Sequence, residues 1–189
     1  MHYLSKIDTH FSSIIYLMRQ LYVAVSIQIV LRIPMSKSVK RVEQAILHLK
    51  LSASVQRMPE TTRTAKDAAV ACDCSVGQIV KSMIFEGVET GTLKLLLVSG
   101  QHNFDLDKAP ELFGEPLMRA DPKRVRSETG FAIGGVSPIG HLCEIETWMD
   151  DKLLDYGIVW AAAGAPNAVF SVAPADLSMA TKAKTFRVA

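Results

Sequence analysis

A lysine set among apolar residues is the first place in this sequence where chemistry could reside. Lys81 stands in GQIVKSMIF, where a capped helix gives way to a strand with the look of a buried one. Such a lysine can snorkel, laying its stem on apolar surface while the ammonium stays in water. It can equally hold a cation at the mouth of a pocket, to meet a phosphate or a carbonyl oxygen. Two stretches of bare backbone are its natural counterparts. FAIGGVSPIGH, residues 131–141, interrupts an apolar run with glycines, a serine and a proline. AAAGAPNAVF, residues 161–170, sets Gly164, Pro166 and Asn167 between two apolar strands. Glycine lets another backbone or a ligand come close. Taken singly, the first segment reads as a strand bulge with a tight turn. Taken together, the two could face each other across a pocket and hold a small polar group through amides and carbonyls. Gly134 to Pro138 fits no dinucleotide or phosphate-loop fingerprint.

Other reactive types are sparse. Cys72 and Cys74 are too close in sequence for a zinc pair, and no second Cys/His pair stands at ligand spacing, so neither metal nor cofactor is expected. Three cysteines cannot all pair, which favours a reducing, cytoplasmic setting. His141 is the one histidine beside the glycine segments in the sequence. Arg119, Lys123, Arg124 and Arg126 form a local basic cluster, either a phosphate contact or a solvated helix face.

The elements that must position these residues follow from local signals. Val39, Val42, Ile46 and Leu49 share a helical face, with Ser38 available as N-cap. Thr64-x-x-Asp67 and Ser75-x-x-Gln78 have the form of capping boxes. SMIFEGVETGTLKLLLVSG reads as a hairpin turning at Gly87 to Gly91. Asp105 or Asp107 can cap a helix through Phe113, and Asp121-Pro122 opens another that ends at Gly130. Short strands are expected at SASVQRM, PLMRA, CEIETWM, GIVWAAA and AVFSVA, then a helix near 174–182 and a terminal FRV. The irregular alternation predicts an α/β fold built on a mixed sheet with helices around it.

The chain has 189 residues, 49% of them hydrophobic, enough for one good-sized core. Its net charge of +2 comes from the first 34 residues, where Lys6, Arg19 and Arg32 face only Asp8. From Met35 onward acids and bases balance, which excludes a protein gripping a long stretch of DNA. Residues 1–34 form an apolar extension whose longest uncharged stretch, Gln20 to Leu31, is shorter than the ~20 residues of a membrane span. Three readings stay open for it: translation that truly begins at Met35, a helix packing on the body or on a partner, or a membrane anchor. The domain is taken as residues 35–189, and no membrane association is expected.

RTAKDAAVACDCSVGQIVKSMIF, LLLVSG, FAIGGVSPIGH and VWAAAGAPNAVF, in that order, resemble the YbaK-like aminoacyl-tRNA deacylases. These are relatives of the editing domain inserted in bacterial prolyl-tRNA synthetase. The resemblance runs from about residue 38 to the C-terminus. It implies a largely antiparallel, barrel-like mixed sheet surrounded by helices, and hydrolysis of the ester joining a wrong amino acid to the 3′ end of a tRNA. The family lysine maps onto Lys81. The Gly-x-Ser-Pro loop maps onto Gly134, Gly135, Val136, Ser137 and Pro138, and the Gly-x-Pro-Asn turn onto Gly164, Ala165, Pro166 and Asn167. On this basis Lys81, Gly135 and Ser137 are assigned to catalysis. Gly134, Val136, Pro138, Gly164, Pro166 and Asn167 are assigned to substrate binding, and His141 is added to them as the histidine nearest the loops in the sequence. Amides of the 134–137 loop suit a tetrahedral oxyanion, although no nucleophile–base pair is evident. The implied partners are the acceptor end of a mischarged tRNA and a synthetase. The alternative is a non-catalytic module that binds an aminoacyl-tRNA or a synthetase through the same pocket.

Overall fold

The structure, a computed structural model, describes Met18 and residues 36–58 and 64–188. The chain divides into two units, Met1–Met35 and Ser36–Ala189. The readings offered for residues 1–34 lie outside the described residues. The sheet and the helices around it belong to the second unit.

Helix α1 (Lys37–His48) buries Val39, Val42 and Ile46 along one face. Its cap is Ser36, which accepts from the Val39 amide at 3.2 Å, and not Ser38. A capping oxygen must precede the first helical residue to reach an orphan amide. Ser38 is already helical and donates instead to the Gly130 carbonyl. Both capping boxes form, at the start of α2 (Ala65–Ala71) and of the 3₁₀ turn Val76–Gln78. Asp105 caps the turn leading into α3 (Ala109–Phe113). Asp121 caps α4 (Pro122–Thr129) through two amides, and Gly130 ends it at φ 79°. Helix α5 is Pro174–Thr181.

The strands are β1 (Val55–Arg57), β2 (Ile79–Gly87), β3 (Leu93–Ser99), β4 (Leu117–Arg119), β5 (Glu146–Asp150), β6 (Val159–Ala165), β7 (Ala168–Val172) and β8 (Lys184–Phe186). They form one mixed sheet in the order β1-β7-β6-β2-β3-β5-β8, with β4 beside β2. The sheet is open rather than barrel-like: β1 and β8, three residues each, do not pair with one another. Strand β3 is buried along its whole length, as a central strand covered on both faces must be. An aromatic cluster of Phe85, Phe104, Phe113, Trp148 and Phe186 closes one part of the core. Small residues, Ala68 and Ala69 of α2, let that helix pack closely on Ile79 and Trp160.

One pairing detail shapes the site. Strand β2 pairs with β3 from Val80 to Glu86. On its other edge it meets β6 only at Ile79 and Val80, and β4 only from Phe85 to Gly87. Between them, Lys81 to Ile84 have no strand partner on that edge among the described residues.

Candidate active site at the opening of the sheet

Two cavities flank this gap, and Lys81, Ser82, Gly134 and Val136 line both. The smaller, about 200 Å³, is walled by alanines of α2, β6 and β7 (Ala65, Ala68, Ala161, Ala162, Ala165 and Ala168), with Trp160 and Pro166. The larger, about 840 Å³, has polar edges from Asn103, Arg119 and Asp121 and apolar ones from Phe104, Met118 and Ile133.

Lys81 is half-buried, and its Nζ donates to the backbone carbonyl of His102. Burial lowers its pKa, and the Asp150 carboxylate pushes the other way. Of the two readings the sequence left open, a snorkelling lysine or a cation at a pocket mouth, Lys81 is found lining the wall shared by both cavities.

The glycine loop follows α4. Gly134 adopts φ 89°, in the left-handed region, with open space where a Cβ would stand. Gly135 is bare for a different reason: an added Cβ would meet the Ala165 backbone at 3.0–3.1 Å. The two glycine-bearing segments therefore touch. The Gly135 amide is committed to the Ala132 carbonyl at 3.0 Å. Those of Gly134 and Val136 make no hydrogen bond to another described residue. Ser137 is fully buried, and its Oγ accepts from the Ile139 amide at 3.3 Å. With buried Pro138 it shapes the turn rather than lining either cavity.

His141 also stays off both cavity walls. Its ring packs edge-on against Phe131 with centroids 5.2 Å apart. Neither ring nitrogen completes a hydrogen bond of good geometry. Burial holds its pKa down to about 4, with the Ser137 backbone opposing and Arg41 adding to the depression.

In the second turn, Gly164 has φ 87° and its missing Cβ would collide with the backbone of Ser38 in α1 at 2.8 Å. The register of β6 against β7 shifts between Ala162 and Ala165, so the ladder is irregular beside this turn. Asn167 offers its carbonyl to the Met58 amide at 2.8 Å. Pro166 reaches the small cavity. Of the ten assigned residues, Lys81, Gly134, Val136 and Pro166 thus line cavity walls, and the others shape or join the loops.

Sequence reasoning missed Arg41. Its Nε donates to the Gly140 carbonyl at 2.7 Å and its Nη2 to the Gly130 carbonyl at 2.8 Å. The guanidinium also stands 4.6 Å from the centre of the Phe131 ring. One side chain of α1 therefore clamps both ends of the glycine loop. The basic cluster does not act as a unit. Arg124 is engaged with Glu86, Glu128 and the Gly91 carbonyl. Arg119, Lys123 and Arg126 are exposed.

Among the described residues, no group of three His, Cys, Asp or Glu is placed to hold a metal ion, and no helix is long and apolar enough to cross a membrane. All three cysteines are free thiols, and burial raises their pKa values, that of Cys72 to about 11 with Cys74 adding to the rise.

Residues 59–179 match the aminoacyl-tRNA editing domain family. The chain is 30% identical over 124 residues to the uncharacterized protein YwhH of Bacillus subtilis (strain 168), spanning 66% of this chain and 78% of that one. It is 25% identical over 112 residues to the Enterococcus faecalis protein named "Putative Cys-tRNA(Pro)/Cys-tRNA(Cys) deacylase EbsC", spanning 59% and 68%. A crystal structure described as "a putative trans-editing enzyme for prolyl tRNA synthetase" superposes with a TM-score of 0.76 at 44% identity, over 82% of this chain and 98% of that one.

Proposed function

The chain belongs to the aminoacyl-tRNA editing domain family, and from that premise we propose that it is a trans-editing hydrolase. Its reaction is the addition of water across the ester of a mischarged aminoacyl-tRNA, releasing the free amino acid and a tRNA with its ribose hydroxyl restored. The observation that carries this reading is the wall shared by two unequal cavities, made by Lys81, Ser82, Gly134 and Val136. The alanine-lined cavity suits a small amino-acid side chain. The larger one suits the terminal adenosine, whose base can stack on Phe104, Met118 or Ile133. The ester then lies at the shared wall.

Water attacks the ester carbonyl there, and negative charge grows on its oxygen. The Lys81 ammonium and the amides of Gly134 and Val136 stabilise that charge, each such donor contributing ~10²–10³-fold in rate. The tetrahedral intermediate collapses by expelling the ribose oxygen, which takes up a proton. Such an activity compensates a synthetase pocket that separates amino acids differing by one methylene by only about 1–3 kcal/mol. The protein works in the cytoplasm on the acceptor end of tRNA, where Arg119, Lys123 and Arg126 can meet phosphates, alone or docked on a synthetase.

A deacylation panel of tRNAs charged with Ala, Ser, Thr and Cys tests the reading. Hydrolysis of at least one, lost in Lys81→Ala, supports it. Tight binding of a charged tRNA with no hydrolysis would establish the non-catalytic module instead.

A further inference from the structure

Lys81 does not fix its own position. An ammonium on a four-carbon stem has three rotatable donors and no preferred direction. Here it is held by the carbonyl of His102, a residue that lines neither cavity. The His102 ring is in turn held through Nδ1 by Oδ2 of Asp150 at 2.8 Å. Asp150 is fully buried. Asp150 accepts from backbone amides on both oxygens, and the imidazole tautomer with its proton on Nδ1 matches that acceptor.

Asp150 fastens the rest of the same bend. Its Oδ2 also accepts from the Ser99 amide at 3.0 Å, and its Oδ1 from the Lys152 amide at 3.1 Å. The Ser99 hydroxyl donates to the Gly77 carbonyl at 2.7 Å, and the His102 amide returns to the Ser99 carbonyl at 3.0 Å. Together these bonds fix where one carbonyl oxygen points.

We propose that His102, oriented by Asp150, is the positioning residue that sets the Lys81 ammonium on the wall between the two cavities. The proposal rests on the deacylase reading for what Lys81 does, but not for how Lys81 is held. Asp150 has a second effect on the same group, since its charge offsets the desolvation of the ammonium. His102 and Asp150 thus act through Lys81 and need not touch the substrate.

The test uses the full chain and the mischarged tRNA that the wild type hydrolyses. His102→Ala is expected to lower kcat by ~10²-fold, the scale of a ~1 Å misplacement, with KM within about twofold. His102→Asn places an amide nitrogen where Nδ1 stood and is expected to recover most of kcat. His102→Phe keeps the ring volume without the donor and is expected to behave like the alanine variant. A second readout needs no activity: the two ε-methylene protons of Lys81 should give distinct NMR signals in the wild type and in His102→Asn, and merge in His102→Phe. Full kcat in His102→Ala, or equal kcat and equal Lys81 signals in the Asn and Phe variants, overturns the proposal. If the wild type hydrolyses no charged tRNA, the deacylase reading fails, and the Lys81 signals alone decide the positioning role.

Discussion

Gly135 and Ala165 are in backbone contact, so the loop after α4 and the β6–β7 turn form one structure at the site. A Cβ on Gly135 would lie 3.0 Å from the Ala165 Cα. Backbone on the receiving side cannot rotate away as a side-chain tip could. Gly135→Val should therefore splay the two segments, with an overpacking cost of about 1–3 kcal/mol and a Tm lower by about 2–12 °C. Deacylation should fall further than stability does, since Gly134 and Val136 move with the loop. Thermal melts and single-turnover rates on the same preparation check this. An unchanged Tm with full activity would show that the contact does not exist in solution.

Lys81→Ala should reduce kcat/KM by at least ~10²-fold while leaving the melting curve close to that of the wild type. The lost bond is to the carbonyl of a half-buried residue, which water can reach. Lys81→Arg should restore little, because a planar fork does not occupy the place of a compact ammonium. Retained activity in the alanine variant would remove Lys81 from the mechanism.

Arg41→Ala should release the glycine loop at both ends. Hydrogen bonds to a charged group contribute about 1.5–3 kcal/mol each, so a clear drop in Tm is expected. Arg41→Lys should recover only part of it, since one ammonium does not span two carbonyls in fork geometry. Kinetics should show KM rising together with a loss of kcat. A variant with wild-type Tm and kinetics would show that the loop holds itself.

Acid stability should be lost in two windows. His141 has a folded pKa of about 4, below its ordinary 6.5, chiefly through burial. The unfolded chain binds that proton first, so this contribution is complete above about pH 6.5 and fades as pH falls toward 4. Glu115 is held down to about 2, first by the Thr90 amide against opposing burial, then by the Thr90 hydroxyl, the Glu89 amide and Lys94. Its contribution is complete above its ordinary 4.5 and fades toward pH 2. Urea midpoints across pH 2–8 should show both slopes. His141→Phe should flatten the upper one and Glu115→Gln the lower. If the slopes are unchanged in both variants, other groups govern the acid transition.

A chain beginning at Met35 should melt and deacylate like the full chain, because the unit that holds the sheet begins at Ser36, the cap of α1. Aggregation or loss of activity on that truncation would make residues 1–34 part of the domain.

Much of the architecture was legible in the sequence because its signals are local. The capping boxes at Thr64 and Ser75, the Asp121-Pro122 start with Gly130 as its stop, and the hairpin around Gly87 to Gly91 each depend on residues a few positions apart. Lys81 was legible as a cation among apolar neighbours, and the two glycine segments as close-approach backbone. What the tertiary structure decided was who holds whom. Ser38 turned from a cap into a donor to Gly130, 92 residues away. The Arg41 clamp spans 89 and 99 residues. The carbonyl that holds Lys81 lies 21 residues on, in a bend fixed by Asp150. Even the site's existence depends on β6 and β4 leaving β2 unpaired between them. Such contacts carry no period and no spacing rule. They depend on where packed elements bring distant backbone carbonyls, and that is settled only when the core has formed.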